Sequence, residues 1–119
     1  MQADPAESWR TAETDELLDA VLGLDEREEA ARFFRDLCTL RELHDLAQRW
    51  QVVRLLHQGR HYSDISRTTG ASTATITRIA AWFNHGTGGY RAALERRAAT
   101  ARSEPGSPRE LTSTERARA

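Results

Sequence analysis

The stretch YSDISRTTGASTATITRIAA, residues 62–81, decides the fold class. Two short helical segments flank Gly70, the residue type best able to hold a positive φ in a tight turn. Ile65 anchors the first segment, and Ser66 beside it is small enough for two helices to touch there. Ile76 and Ile79, spaced for one helix face, pin the second segment to a core. What remains on the second segment is short and polar: Ser72, Thr73, Thr77 and Arg78, with Ala74 near the tip. A compact polar face of this kind suits close approach of a helix to the major groove of DNA. A helical hairpin with no nucleic-acid role also satisfies each element taken singly. The full set at fixed offsets, with local positive charge, favours a helix-turn-helix.

Working outward, helical periodicity continues on both sides and no segment alternates like a strand, so the expected class is all-α. Thr11 or Thr14 caps a first helix with Asp15 and Glu16 in its first turn and a stripe of Leu17, Leu18, Val21 and Leu22. Gly23 is expected to end it in a left-handed turn. Asp25 and Glu28 have the spacing of a capping box for a second helix carrying Ala30, Phe33, Phe34 and Leu37. A second box, Thr39 with Glu42, opens the longest helix, whose stripe runs Leu43, Leu46, Ala47, Trp50, Val53 and Leu56 before Gly59 stops it. Helices are expected at 62–69, at 73–84 with Ser72 as cap, and at 90–102 after the break His85-Gly86-Thr87-Gly88-Gly89. Residues 1–10 and 103–119 are expected to be a disordered arm and tail around one domain, 11–102.

Length and charge set the outer bounds. The chain has 119 residues, small for a two-domain enzyme. Its longest apolar runs are too short to span a membrane. The N-terminus is acidic, with no signal-peptide pattern. The single cysteine, Cys38, excludes an internal disulfide and suits a reducing cytoplasm. The formal net charge of −1 looks wrong for a DNA partner, but it is an average. Residues 1–30 hold ten acids against Arg10 and Arg27, whereas residues 31–119 hold fifteen Arg against eight acids. Within 59–102 seven Arg face only Asp64 and Glu95. Such asymmetry points to a polyanionic partner, or to acidic and basic parts pairing within a dimer.

GASTATITR (70–78), AQRW (47–50) and NHGTGGY (84–90) together resemble the YerC/YecD branch of the Trp repressor-like family. The similarity runs through DLCTLRELHDLAQRWQVVRLLHQGRHYSDISRTTGASTATITR (36–78) and covers about residues 12–97. The resemblance implies a Trp-repressor-like helical bundle, an intertwined homodimer with interlocked N-terminal helices, paired recognition helices at about 73–84, and a sequence-specific transcriptional regulator. The apolar positions N-terminal to Gly59 agree, being too many for one short helix pair without a partner. The residues expected to meet double-stranded DNA are Ser63, Ser66, Arg67, Ser72, Thr73, Ala74, Thr75, Thr77 and Arg78. Ser63 and Ser66 stand where the Trp repressor has basic residues, so fewer phosphate contacts and a shallower salt slope are expected, with Arg60, Arg67 and Arg78 compensating in part.

In the Trp repressor two arginines sandwich a bound tryptophan, and a threonine at the start of the third long helix lies close by. The matching positions are Arg49, Arg78 and Thr39, with Thr75 matching a threonine of the recognition helix. Two guanidinium planes stack on a ring and grip a carboxylate. Ile79 replaces a glycine of the Trp repressor and Trp82 a serine, and their bulk is expected to fill the space of a free tryptophan. The expected effector pocket, Thr39, Arg49, Thr75, Arg78 and Trp82, would then take some small molecule other than tryptophan.

Other chemistry has weaker support. His57 and His61 are four apart, but Gly59 between them breaks the helix, and His44, His85 and Cys38 lack ligand spacing, so no metal is expected. Cys38 reads as a buried small hydrophobe, and Trp50 and Trp82 as core residues on apolar stripes. GTGG (86–89) lacks the lysine and preceding strand of a P-loop and reads as a tight linker. No catalytic constellation or cofactor motif stands out, and an enzyme is not expected. The competing function is a helical protein-interaction subunit that keeps the fold but binds DNA weakly.

Overall fold

The computed structural model describes residues 9–103, so the expected arm (bar its last two residues) and tail (bar its first) lie outside the described residues. Six helices follow in order: α1 Ala12–Leu22, α2 Arg27–Leu37, α3 Leu40–His57, α4 Tyr62–Thr69, α5 Thr73–His85 and α6 Gly89–Ser103. No strand occurs among the described residues. None of the helices is long and apolar enough to cross a membrane. The chain divides into two compact units between Leu46 and Ala47.

In the N-terminal unit the capping chemistry differs in detail from the sequence pattern. Thr11 is the cap of α1, and the box closes through Thr14, whose N–H donates to Thr11 Oγ1 while its own Oγ1 accepts from Thr11 N–H. Arg10 pairs with Asp15 at this end. Gly23 ends α1 in the right-handed region, at φ −81°, because its N–H finds the last-turn carbonyls without a left-handed reversal. The expected Asp25–Glu28 box does not form. Glu26 is the cap residue of α2, and the Asp25 N–H is instead satisfied one residue further on, by Glu29 Oε1 at 2.9 Å. The box opening α3 does form: Glu42 N–H donates to Thr39 Oγ1 at 3.0 Å and Thr39 N–H to Glu42 Oε1 at 2.8 Å. No residue of α1 or α2 is buried, and Leu22 is 81% exposed.

The core lies in the C-terminal unit. Val52, Val53, Ile65 and Ile76 are completely buried, with Leu55, Ala71, Ile79, Phe83 and Leu94 closing around them. α3 ends with Gly59 at φ +80°. His61 precedes α4 without a side-chain cap bond, and histidine is not among the favoured cap residues. Gly70 ends α4 at φ +81°, and its N–H donates to Ser66 O at 2.8 Å. Thr69 stitches the turn: its hydroxyl donates to Ile65 O at 2.8 Å and accepts from Ala71 N–H at 3.1 Å. Gln48 on α3 adds a hydrogen bond to Thr69 O at 3.1 Å. Ser72 then caps α5, accepting from Thr75 N–H at 3.1 Å.

Two substitutions test this account by urea unfolding. Ile65→Ala is expected to lose about 2–5 kcal/mol through lost burial and a residual cavity. Gly70→Ala is expected to lose about 1–2 kcal/mol through the left-handed backbone alone, because its added Cβ meets nothing closer than Gln48 Nε2 at 3.9 Å.

Candidate nucleic-acid interface and adjoining cavity

α5 divides along its length into an inward and an outward face. Ile76, Ile79, Ala80 and Phe83 are buried. Thr73, Ala74, Thr77 and Arg78 are exposed, and Thr75 is half-buried between the two faces. Ser72, also exposed, spends its hydroxyl on the α5 cap and on Thr75 Oγ1, 3.0 Å away. On α4, Ser63 and Arg67 are exposed and Ser66 is half-buried. The expected DNA-facing set therefore presents Ser63, Arg67, Thr73, Ala74, Thr77 and Arg78 outward, whereas Ser72, Thr75 and Ser66 also serve local structure.

An ion-pair network surrounds the start of α4. Asp64 accepts from Arg60 Nε at 2.5 Å and from Arg67 Nη2 at 2.8 Å. The hydrogen bond from Arg60 holds the Asp64 carboxyl below its ordinary range against a desolvation effect that opposes it, with further lowering from both guanidinium charges. The same bond raises Arg60. Because the folded-state pKa of Asp64 is depressed, the network's contribution is present at neutral pH and is lost as pH falls through that lowered value.

A cavity of about 560 Å³ opens beside this surface, lined by Arg49 of α3, by Thr75, Arg78, Ile79 and Trp82 of α5, and by Thr87 to Tyr90 leading into α6. Its lining holds two guanidinium groups and no carboxylate. Neither Arg49 nor Arg78 makes a hydrogen bond or ion pair among the described residues. Four of the five residues expected at an effector pocket thus line one cavity. The fifth, Thr39, belongs to the N-terminal unit, with its hydroxyl and N–H engaged in the α3 capping box.

Trp82 departs from the expectation of a core residue: it is 59% exposed. Its indole is a wall of the cavity rather than its filling, and Ile79, 6% exposed, turns most of its bulk into the core. The reason is the place of Trp82 on α5, four residues after Arg78 and seven after Thr75 and so on their side of the helix, beside the buried face of Ile76, Ala80 and Phe83. Gly86 follows at the helix end. A Cβ there would sit 2.5 Å from Trp82 O and 3.0 Å from Trp82 Cε3, so the absent side chain is what lets the α5 end close against the indole. Tyr90 and the Thr87–Gly89 wall join the cavity although the spacing of GTGG marks it only as a linker. The contiguous NHGTGGY pattern was the available signal. α6 is held in place by Leu94 in the core, by Tyr90 against Trp50 with ring centroids 6.4 Å apart, and by Arg91. The Arg91 guanidinium lies 4.0 Å from the Phe83 ring centroid and donates to Asn84 Oδ1 at 3.0 Å.

Comparison with known proteins agrees with this architecture. The family model for the Trp repressor protein matches residues 12–98. The uncharacterised protein YerC of Bacillus subtilis is 47% identical over 87 residues, covering 73% of this chain and 84% of YerC. A TrpR-like protein from Eubacterium eligens superposes with a TM-score of 0.73 at 42% identity, covering 75% of this chain and 92% of that one. A candidate Trp repressor from Staphylococcus aureus does so with a TM-score of 0.75 at 43% identity, covering 81% and 96%. The matched family is one of repressors, not enzymes.

Gly86→Ala is expected to lower stability by about 1–3 kcal/mol, an overpacking cost, because the nearest clash is with backbone and cannot be relieved by a rotamer change. Thermal unfolding followed by circular dichroism checks it.

Proposed function

We propose, for a chain that belongs to the Trp repressor family, that it acts as a cytoplasmic, homodimeric, sequence-specific DNA-binding transcriptional regulator. The observation that carries this is the split character of α5: its apolar side is buried while Thr73, Ala74, Thr77 and Arg78 stand outward just beyond a tight left-handed turn. Short side chains let the helix lie deep in the major groove, with thymine methyls and bridging waters as the partners of the threonines. Arg78, Arg67 and Ser63 at the edges address phosphates.

Dimerisation is supported by the N-terminal unit. Leu17, Leu18, Leu22, Leu37, Leu40 and Leu46 are exposed in the single chain. An apolar surface of that extent is stabilised when a second copy covers it. The cavity supports an effector site for an anionic small molecule, gripped by Arg49 and Arg78 beside Thr75 and walled by Trp82. Free tryptophan is disfavoured as its occupant, because Ile79 and the indole of Trp82 line the space that a free indole would need. The pairing of Arg60 and Arg67 with Asp64 favours the second function, a protein-interaction subunit with weak DNA binding, since it leaves α4 little free positive charge.

Thr73→Glu combined with Thr77→Glu is expected to abolish the shift of duplex DNA in a low-salt gel assay. An unchanged shift would mean that α5 does not read DNA and would favour the interaction subunit. Sedimentation is expected to show a dimer at micromolar concentration, and a folded monomer there would contradict it. Calorimetry is expected to show no micromolar binding of L-tryptophan.

A further inference from the structure

We infer that Asp64 restrains Arg60 and Arg67 and thereby lowers the affinity of the α4–α5 motif for DNA irrespective of sequence, an inference that rests on the DNA-binding function proposed above. Asp64 is the only acidic residue between Asp45 and Glu95, in a stretch that carries six arginines. Its two oxygens are divided between two cations: Oδ2 accepts from Arg60 Nε and Oδ1 from Arg67 Nη2. The carboxylate is the more sheltered partner, with 28% of its side chain exposed against 38% for Arg60 and 75% for Arg67. It neutralises both guanidinium groups from one position. Arg78, one helix further on, has no such partner among the described residues.

The consequence falls on binding rather than on folding. Exposed ion pairs contribute little to stability. A duplex, however, attracts a protein through the counterions that its free cations displace, and a guanidinium already matched to a carboxylate displaces fewer. The carboxylate also repels the phosphates directly. Of the three arginines in or beside the motif, two are thus held in check, and Arg78 remains free to address phosphate. Background binding is suppressed on the element that contacts backbone, and discrimination is left to α5.

The test uses the full chain and a random-sequence duplex, with fluorescence anisotropy across a range of salt concentrations. Asp64→Asn is expected to bind more tightly than wild type, with a log–log salt slope steeper by roughly 0.9 for each arginine released. In an Arg60→Gln, Arg67→Gln background, the same substitution is expected to leave the slope unchanged. Asp64→Ser serves as a second variant should the asparagine disturb the start of α4, with helical circular dichroism confirming the fold of each. Weaker or equal binding by the Asp64 variants while wild type binds would overturn the inference, because the carboxylate would then be orienting the arginines for phosphate. A slope gain that persists without the two arginines would overturn it as well. Absence of binding by every variant would overturn the DNA-binding function, and this inference with it.

Discussion

The complete burial of Ile65 and Ile76 on opposite sides of Gly70 is the constraint on which the C-terminal unit depends. Each isoleucine belongs to a different helix, and each reaches the same core only if the chain reverses within the residues between them. Gly70 permits that reversal at φ +81°, and Thr69 and Gln48 satisfy the polar groups that the turn would otherwise leave open. Once α4 and α5 are fixed in this way, the face of α5 that is not buried has no choice but to look outward. The outward placement of Thr73, Thr77 and Arg78 is thus a consequence of core packing, not of any interaction those residues make themselves.

The same packing sets up the cavity. Arg49 follows Ala47 and Gln48 along α3, close to the residues that anchor the turn. Arg78 and Thr75 come with α5, and α6 is drawn over them by Leu94, Tyr90 and Arg91. A site with two guanidinium groups and no compensating carboxylate carries an electrostatic cost that an anionic occupant would offset. The cost is tolerated here because both arginines remain exposed to water.

Charge follows a different logic from the packing. A formal net charge of −1 conceals an acidic N-terminal stretch and an arginine-rich remainder. Within that remainder Asp64 neutralises two arginines at once, so the cationic surface around α4 is smaller than the arginine count suggests. Counting charges along the chain locates the basic region. Only the geometry shows which of its charges are spent.

Periodicity and capping chemistry determined much by themselves: the six helices, the α3 box of Thr39 with Glu42, the turn at Gly70, and the inward isoleucines of α5. These are local properties, set by side-chain spacing and by groups three or four residues apart. Where neighbouring donors compete, as Glu28 and Glu29 do for the Asp25 N–H, the pattern misplaces the partner by one residue. The tertiary structure decided what local spacing cannot encode. Trp82 is a large apolar residue yet is exposed, because core packing buries the face of Ile76, Ile79, Ala80 and Phe83 and leaves the side that Trp82 shares with Thr75 and Arg78 bordering the cavity. Tyr90 and the Thr87–Gly89 wall became part of that cavity because α6 packs back onto the core. Asp64, in the first turn of α4, became the hub of two arginines because Arg67 follows it by one helical turn while Arg60 reaches it from the segment just before the helix. In each case the deciding quantity is a distance between groups, and a linear sequence specifies such a distance only once the chain is packed.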